Sequence, residues 1–464
     1  MATTSPARPS AEESSRPPVA AAAGLVVAVL VVVAAFVVPP LLGWDVRARV
    51  DQNGAAPTHG YWEAKVGIGT IPAVLLAVLG VRYATGLAQR LTWRWLLLAA
   101  FVAGLAWMLA LAYVDGSSGM TRVLGNAYEY LPTARDVTNL PGTIDDFIRR
   151  IPYAAGDNWV THIAGHPVGA LITFVVLVRL GLGGDYSAAM VVTLAAATIA
   201  PAVLVTLRRL GAEPLARRAA PYLVLTPAAV FMAVSADALF AAIAAWGLAA
   251  LACAATSART GPMIGWAGLA GLLLGWCVLL SYGLLLLGLL AVAVLLVARS
   301  WRPLPVAVVA ALVPVLVLAA MGFAWWDAYP VLVERYNDGV AMDRPMAYWW
   351  WGNLGALLVS AGPLLGAGLG LWAARLGGMG RAVRARLRES PERAVLILVG
   401  AAVLTIALAD ASGMSKAEVE RIWIPFIPWL TISLALLPRR WGRWALGGQV
   451  VFALAVQHLL YTSW

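Results

Sequence analysis

Charge is what this sequence has least of. Only 12% of its 464 residues are Asp, Glu, Lys or Arg, against about 25% in ordinary soluble domains. A soluble fold of this length keeps much of its surface in water, and a chain that is 61% hydrophobic cannot supply that surface. Cytosolic enzymes, DNA-binding modules and secreted disulfide scaffolds are excluded together. Cysteine is also scarce: Cys253 and Cys277 both fall inside apolar runs, so neither a structural disulfide nor a cysteine-based metal site is expected. Lysine occurs twice, at Lys65 and Lys416, beside 31 arginines. With abundant Ala and Gly, that bias reads as the codon usage of a GC-rich bacterial genome. The net charge of +10 would suggest nucleic acid in a soluble protein. Here it is a topology signal, and no nucleic-acid partner is expected.

What is present is a series of long apolar runs, so the expected class is an all-α polytopic membrane protein. Runs long enough to span a bilayer lie near 21–43, 66–83, 94–114, 187–207, 220–235, 238–256, 264–281, 283–298, 304–325, 351–374, 393–410, 422–438 and 444–461. A further run, 167–183, is interrupted by Arg179 and is read as a juxtamembrane helix on the outer surface, leaving about 13 transmembrane helices. With the N-terminus inside, 21 of the 33 basic residues fall on inner segments and 12 on outer ones, as the positive-inside rule requires. Of the 23 acids, 18 fall outside. The expected arrangement is a bacterial plasma-membrane protein, multi-pass, with a cytoplasmic N-terminus. Residues 1–18 are polar and read as a disordered cytoplasmic tail. Residues 19–93 hold two helices, 94–300 a core with the long outer loop 115–186, and 301–464 the remaining helices with outer loops 326–350 and 411–421. Many of the 21 tryptophans fall at helix ends, where an interfacial belt accounts for them.

Ionisable groups at membrane ends are expensive to desolvate and are functional candidates. One group starts at Asp115, at the outer end of the third span, and continues through Glu129 to His162 and His166. A second is the turn Ser235-Ala236-Asp237, where the acid could simply cap the next helix. A third runs from Asp410 to Trp423 and holds Lys416, Glu418, Glu420 and Arg421. A pair between Glu418 and Arg421 is the plain structural reading there; the functional one has Lys416 and Arg421 gripping an anionic head group.

Several pieces, taken together, resemble the GT-C superfamily of integral membrane glycosyltransferases, such as the protein mannosyltransferases and the aminoarabinose transferase of lipid A. They are His162 and His166-Pro167-Val168-Gly169, Arg208-Arg209-Leu210-Gly211, the stretch from Pro227 to Asp237, and Gly268 to Gly283. Over most of its length the chain also resembles actinobacterial integral membrane proteins with a Lys-x-Glu-Val-Glu-Arg-Ile-Trp segment, here Lys416 to Trp423. The GT-C resemblance implies a polyprenyl-phosphate sugar as donor, an envelope lipid, glycan or protein as acceptor, and catalytic acids in the first two outer loops. By position these are Asp115 or Glu129, then Asp237. The chain departs from that pattern: no Asp-Glu pair opens the loop, Val168 replaces a second proline, and two spans precede the matching region. Asp45 and Asp51 therefore stay as alternative catalytic acids.

The chemistry such an enzyme needs can be stated independently. A carboxylate must take the acceptor's proton, and cations must stabilise the leaving phosphate, a task suited to Arg. Arg344, Lys416 and Arg421 are the outer cations beside apolar spans that could hold a polyprenyl tail, and His162 and His166 join them as candidate donor-binding residues. A divalent ion (Mg or Mn) held by acids and His162 is compatible with the chemistry, but the spacing specifies no metal. Two other classes stay open. A transporter or lipid-exporting permease would place its polar groups near the midplane in broken helices of a repeat. A non-catalytic membrane subunit of an envelope complex would keep the fold without the chemistry.

Overall fold

A computed structural model describes residues 11–49, 54–377 and 390–462. Among the described residues, seven helices are long and apolar enough to cross a membrane: Val19–Leu41, Thr70–Arg90, Trp93–Asp115, Asp185–Arg209, Ala236–Ala255, Thr260–Leu280 and Glu392–Ala411. Two further crossings are bent pairs. Leu304–Ala320 meets Trp325–Asn337 at 73°, and Met346–Ala361 meets Leu365–Gly377 at 109°. Val168–Leu182, Tyr282–Ala298 and Ile427–Leu436 are shorter apolar helices. The protein is thus a nearly all-helical, multi-pass membrane protein.

Seven to nine long apolar helices are fewer than thirteen apolar runs, and the difference comes from breaks inside the runs. Pro227 divides 220–235, because the residue before a proline is steered out of the helical region; the helix Glu213–Val224 ends there and a single turn, Ala229–Met232, follows. Pro425 and Pro428 likewise leave 422–438 as short pieces. Gly362, with φ of +83°, and Pro363 make the sharp bend within 351–374. At the other end of the chain, the first helix begins at Ala11, so residues 11–18 of the expected disordered tail are helical. Residues 1–10 and Asp51 lie outside the described ones.

Packing depends on small residues, because lipid gives helices no hydrophobic reason to associate. Gly366 and Gly370, four apart, let their helix lie against the first helix so closely that a Cβ on Gly24 would sit 2.1 Å from the Gly366 carbonyl oxygen. Gly271 and Gly275 form a second seam, where added Cβ atoms would lie 2.2 Å from the carbonyls of Ala307 and Ala311. The Ala-rich helix Ala236–Ala255 is central and 89% buried, whereas only 17% of the first two spans is buried. Tryptophans serve both environments: Trp107, Trp349, Trp423 and Trp429 are buried, while Trp326, Trp350 and Trp444 are exposed.

Polar contacts gather the connecting segments into two groups. In one, Arg217 donates to the carbonyls of Ala88 and Leu91, both at 2.9 Å, Arg218 donates to Leu437, and Arg393 donates to Val297 at 3.0 Å. In the other, Lys65 pairs with Asp115 at 2.9 Å, Arg122 donates to Thr462 at 3.1 Å, and Arg335 donates to Trp159 at 2.7 Å. The second group also holds an antiparallel strand pair, Gly60–Trp62 with Leu460–Thr462. Val168–Leu182 starts and ends beside this second group, since Arg135 donates to Gly183 at 2.9 Å.

Candidate functional site

The second group of segments encloses a buried cluster of charge. An Asx turn at Asn126, whose side chain accepts from the Tyr128 N–H at 2.9 Å, places Glu129 just ahead of the helix Tyr130–Asp136. Glu129 pairs through Oε1 with His162 Nδ1 at 2.8 Å. His162 lies in the single helical turn Thr161–Ala164, and its carbonyl is 2.8 Å from His166 Nδ1. Tyr130 is buried with its ring stacked on Phe174 and edge-on to His166 and Phe240.

Asp237 comes from the central helix. Ser235 is its cap, accepting from the Asp237 N–H at 3.1 Å, so the Asp237 carboxylate is free of that role. It accepts instead from Arg421 Nη1 at 2.6 Å, with both side chains buried. Arg421 Nη2 reaches Glu418 at 3.3 Å, and Arg344 Nη2 stands 3.7 Å from Glu418. The other Arg344 donors go to the carbonyls of Arg47 at 3.0 Å and Lys416 at 2.5 Å. Ala417 and Glu418 both have positive φ, 70° and 62°, a strained choice for residues with a Cβ. Asn353 holds the loop there: its Oδ1 accepts from the Ala417 N–H at 3.2 Å, while Nδ2 donates to Asp410 and Ser415.

Seven of the nine residues singled out in the sequence thus meet in one network: Glu129, His162, His166, Asp237, Arg344, Glu418 and Arg421. Lys416 borders it through its backbone; its Nζ donates to the Ala341 carbonyl at 2.9 Å. Asp115 belongs to a different contact set, bonded to Lys65 and to Gln457 at 3.0 Å. Asp45 is exposed and pairs with Arg47. Three further members of the cluster are not among those nine, although Glu420 lies in the third group read from the sequence. His59 donates its backbone N–H to Glu420 Oε1 at 2.8 Å, and Glu420 and Tyr130 are fully buried. The scarcity of histidine, four in the chain, was the available signal for His59.

Burial and pairing set the protonation states. Burial pushes the Glu129 carboxyl up, but His162 and Arg421 more than offset it, leaving Glu129 below its usual range. Burial lowers His162 while Glu129 raises it, with a net rise, so each member of the pair favours the charged form of the other. His166 and His59 are both lowered by burial. Glu418, opposed by burial, is nonetheless drawn down to about 2 by His59, Arg344 and Arg421. Burial pushes Glu420 up to about 7. Among the buried atoms here that lack a hydrogen-bond partner among the described residues are Glu129 Oε2, Glu420 Oε2 and the Tyr130 hydroxyl. Unsatisfied buried oxygens are rare in folded proteins, and they leave acceptors and a donor available to a ligand. Among the described residues no group of three or more His, Cys, Asp or Glu is arranged to hold a metal ion, so no step is derived through one.

Glu420 gives a pH-dependent prediction. Its folded value lies above its unfolded one, so the folded protein holds an extra proton between the ordinary carboxylate range and about 7. Stability contributed by this group is therefore greatest at acid pH and falls as pH rises to 7. Glu420→Gln keeps the acceptor for His59 and removes the charge. It should raise thermal stability in detergent at pH 8 by an amount on the order of 3 kcal/mol, with little gain at pH 5. A gain independent of pH would contradict the assignment.

No family model and no curated protein sequence matches the chain.

Proposed function

We propose that the protein is a polyprenyl-phosphate-dependent glycosyltransferase acting on the extracytoplasmic face of a bacterial plasma membrane. The observation that carries this reading is the water-shielded Glu129–His162 pair, with an unpartnered carboxylate oxygen, set beside the buried Arg421. In the reaction the acceptor hydroxyl oxygen bonds to the anomeric carbon as the bond from that carbon to the donor phosphate breaks. The hydroxyl proton passes to Glu129 Oε2, and His162 holds the carboxylate in place. Arg421 and Arg344 face the negative charge that remains on the polyprenyl phosphate. The GT-C resemblance is compatible with this base, since it implies Asp115 or Glu129 as the first acid and Asp237 as the second. The test is incubation of purified protein with radiolabelled polyprenyl-phosphate sugars and envelope lipids or glycans; label transfer supports the reading, and no transfer from any donor removes it.

The same reading takes the chain through the bilayer thirteen times with the N-terminus inside. Its support is that segments assigned to opposite faces fall into separate contact groups. Val168–Leu182 fits as a surface helix because both of its ends lie in one group. In a variant lacking Cys253 and Cys277, an impermeant thiol reagent applied to whole cells should label Asp136→Cys and spare Arg209→Cys. Equal labelling would remove the thirteen-crossing arrangement.

A second reading, a proton-coupled permease, draws on Glu420, a buried carboxyl that titrates near neutrality. It requires Glu420→Gln to abolish substrate movement across the membrane, whereas glycosyl transfer requires Glu129.

A further inference from the structure

At the end opposite the Arg421 cluster, cationic side chains and an apolar groove meet. Arg217 and Arg218, on the helix Glu213–Val224, and Arg439, next to Pro438, line a cavity of about 330 Å³ whose lining, among the described residues, includes no acid. Arg217 is fully engaged by Glu213, Ala88 and Leu91, and Glu213 is matched by Arg208 as well, at 2.9 Å. Arg218 is held by the Leu437 carbonyl, not by an opposing carboxylate. The Arg439 side chain is exposed and makes no ion pair or hydrogen bond among the described residues. Glu392 also acts on Arg218, but it is paired with Arg375 at 2.6 Å, so among the described residues the local charge stays positive.

Pro221 is shared with a second cavity, of about 470 Å³, lined by apolar side chains and Tyr83. One wall runs from Leu76 to Leu91, roughly 22 Å of helix at 1.5 Å per residue. That exceeds half of a hydrocarbon core about 30 Å thick, so the groove reaches from the head-group level past the midplane. It opens outward, because Leu79, Tyr83 and Leu87 are 52%, 49% and 50% exposed. An acyl-length apolar groove joined to a basic pocket has the polarity of one phospholipid.

We propose that this is a binding site for an anionic phospholipid of the leaflet at that end, its phosphate against Arg218 and Arg439 and an acyl chain in the groove. Free phosphate would leave the groove unused, and a zwitterionic lipid would bring a cation to a pocket already positive. The bound lipid joins the Thr70–Arg90 helix, which has little protein around it, to the body of the molecule.

Native mass spectrometry of the full-length protein in detergent, titrated with phosphatidylglycerol or phosphatidylcholine, tests this. The wild type should retain phosphatidylglycerol in preference. Arg439→Gln and Arg218→Gln should each weaken that retention about fivefold, the effect of one cation near a lipid head group. Ala99→Phe, which fills the groove, should weaken it also, while Arg259→Gln, an exposed arginine outside the pocket, should leave it unchanged. Wild-type retention by Arg439→Gln, equal binding of the two lipids, or an equal loss in Arg259→Gln would each overturn the proposal. Since the Arg439 side chain is exposed and unpaired, its variant decides the question even if Arg218→Gln fails to fold.

Discussion

Replacing Arg421 by methionine should destabilise the protein by about 3–5 kcal/mol, the usual cost of removing one partner from a buried ion pair. The cost arises because buried Asp237 and partly buried Glu418 lose the cation they share, at 2.6 and 3.3 Å. Leu91, Trp441 and other residues at the far end should be unaffected. Thermal unfolding in detergent gives the magnitude. Adding Asp237→Asn to the Arg421 variant removes one stranded charge and should recover part of the loss, since contacting residues do not behave additively. A loss below about 1 kcal/mol, the scale of an exposed pair, would mean that the cluster is open to solvent.

Glu129→Gln should lower glycosyl transfer by roughly 10²–10⁴-fold, the range contributed by a positioned general base. Glutamine still offers an oxygen to His162, so folding and membrane insertion should survive and only the proton acceptor is lost. Asp115→Asn is the informative comparison. Asp115 is already bonded to Lys65 and Gln457, and its replacement should leave transfer within several-fold of the wild type. If the two variants exchange behaviours, the base is Asp115 and the Glu129–His162 pair is structural.

The membrane class of this protein is plain from its runs of apolar residues, because bilayer thickness imposes a minimum length that few soluble segments meet. Where a run contains Gly362-Pro363, Pro227 or Pro425, the same arithmetic overestimates continuous helix: hydropathy counts carbon, while the break is a matter of backbone geometry. Much of the cluster could be picked out as polar islands at the ends of those runs, as with Glu129, His162, Asp237 and Arg421. Their partnerships could not. The Asp237–Arg421 pair joins residues 184 apart, and no local spacing announces it. Glu420 illustrates the limit from the other side. Next to Arg421 it looks like one more charge on an interfacial helix face, yet the helix starts only at Val419 and Glu420 ends up without exposure, its ionisation altered by surroundings that one segment cannot reveal.

The 184-residue separation of Asp237 from Arg421 also has a meaning for how the molecule is made. At about 5–20 residues per second, Asp237 is synthesised roughly 10–40 s before the guanidinium that neutralises it. The closing strand Leu460–Thr462, which fastens the last helix to the first loop, arrives later still. During that interval the nascent chain holds an acid at the end of its central helix with no native counter-ion. It must stay beside water or be sheltered by the insertion machinery. Assembly of the charged cluster thus waits until Arg421 has been made, and a ribosome that stops short of it releases a chain whose Asp237 lacks the cation that closes the cluster.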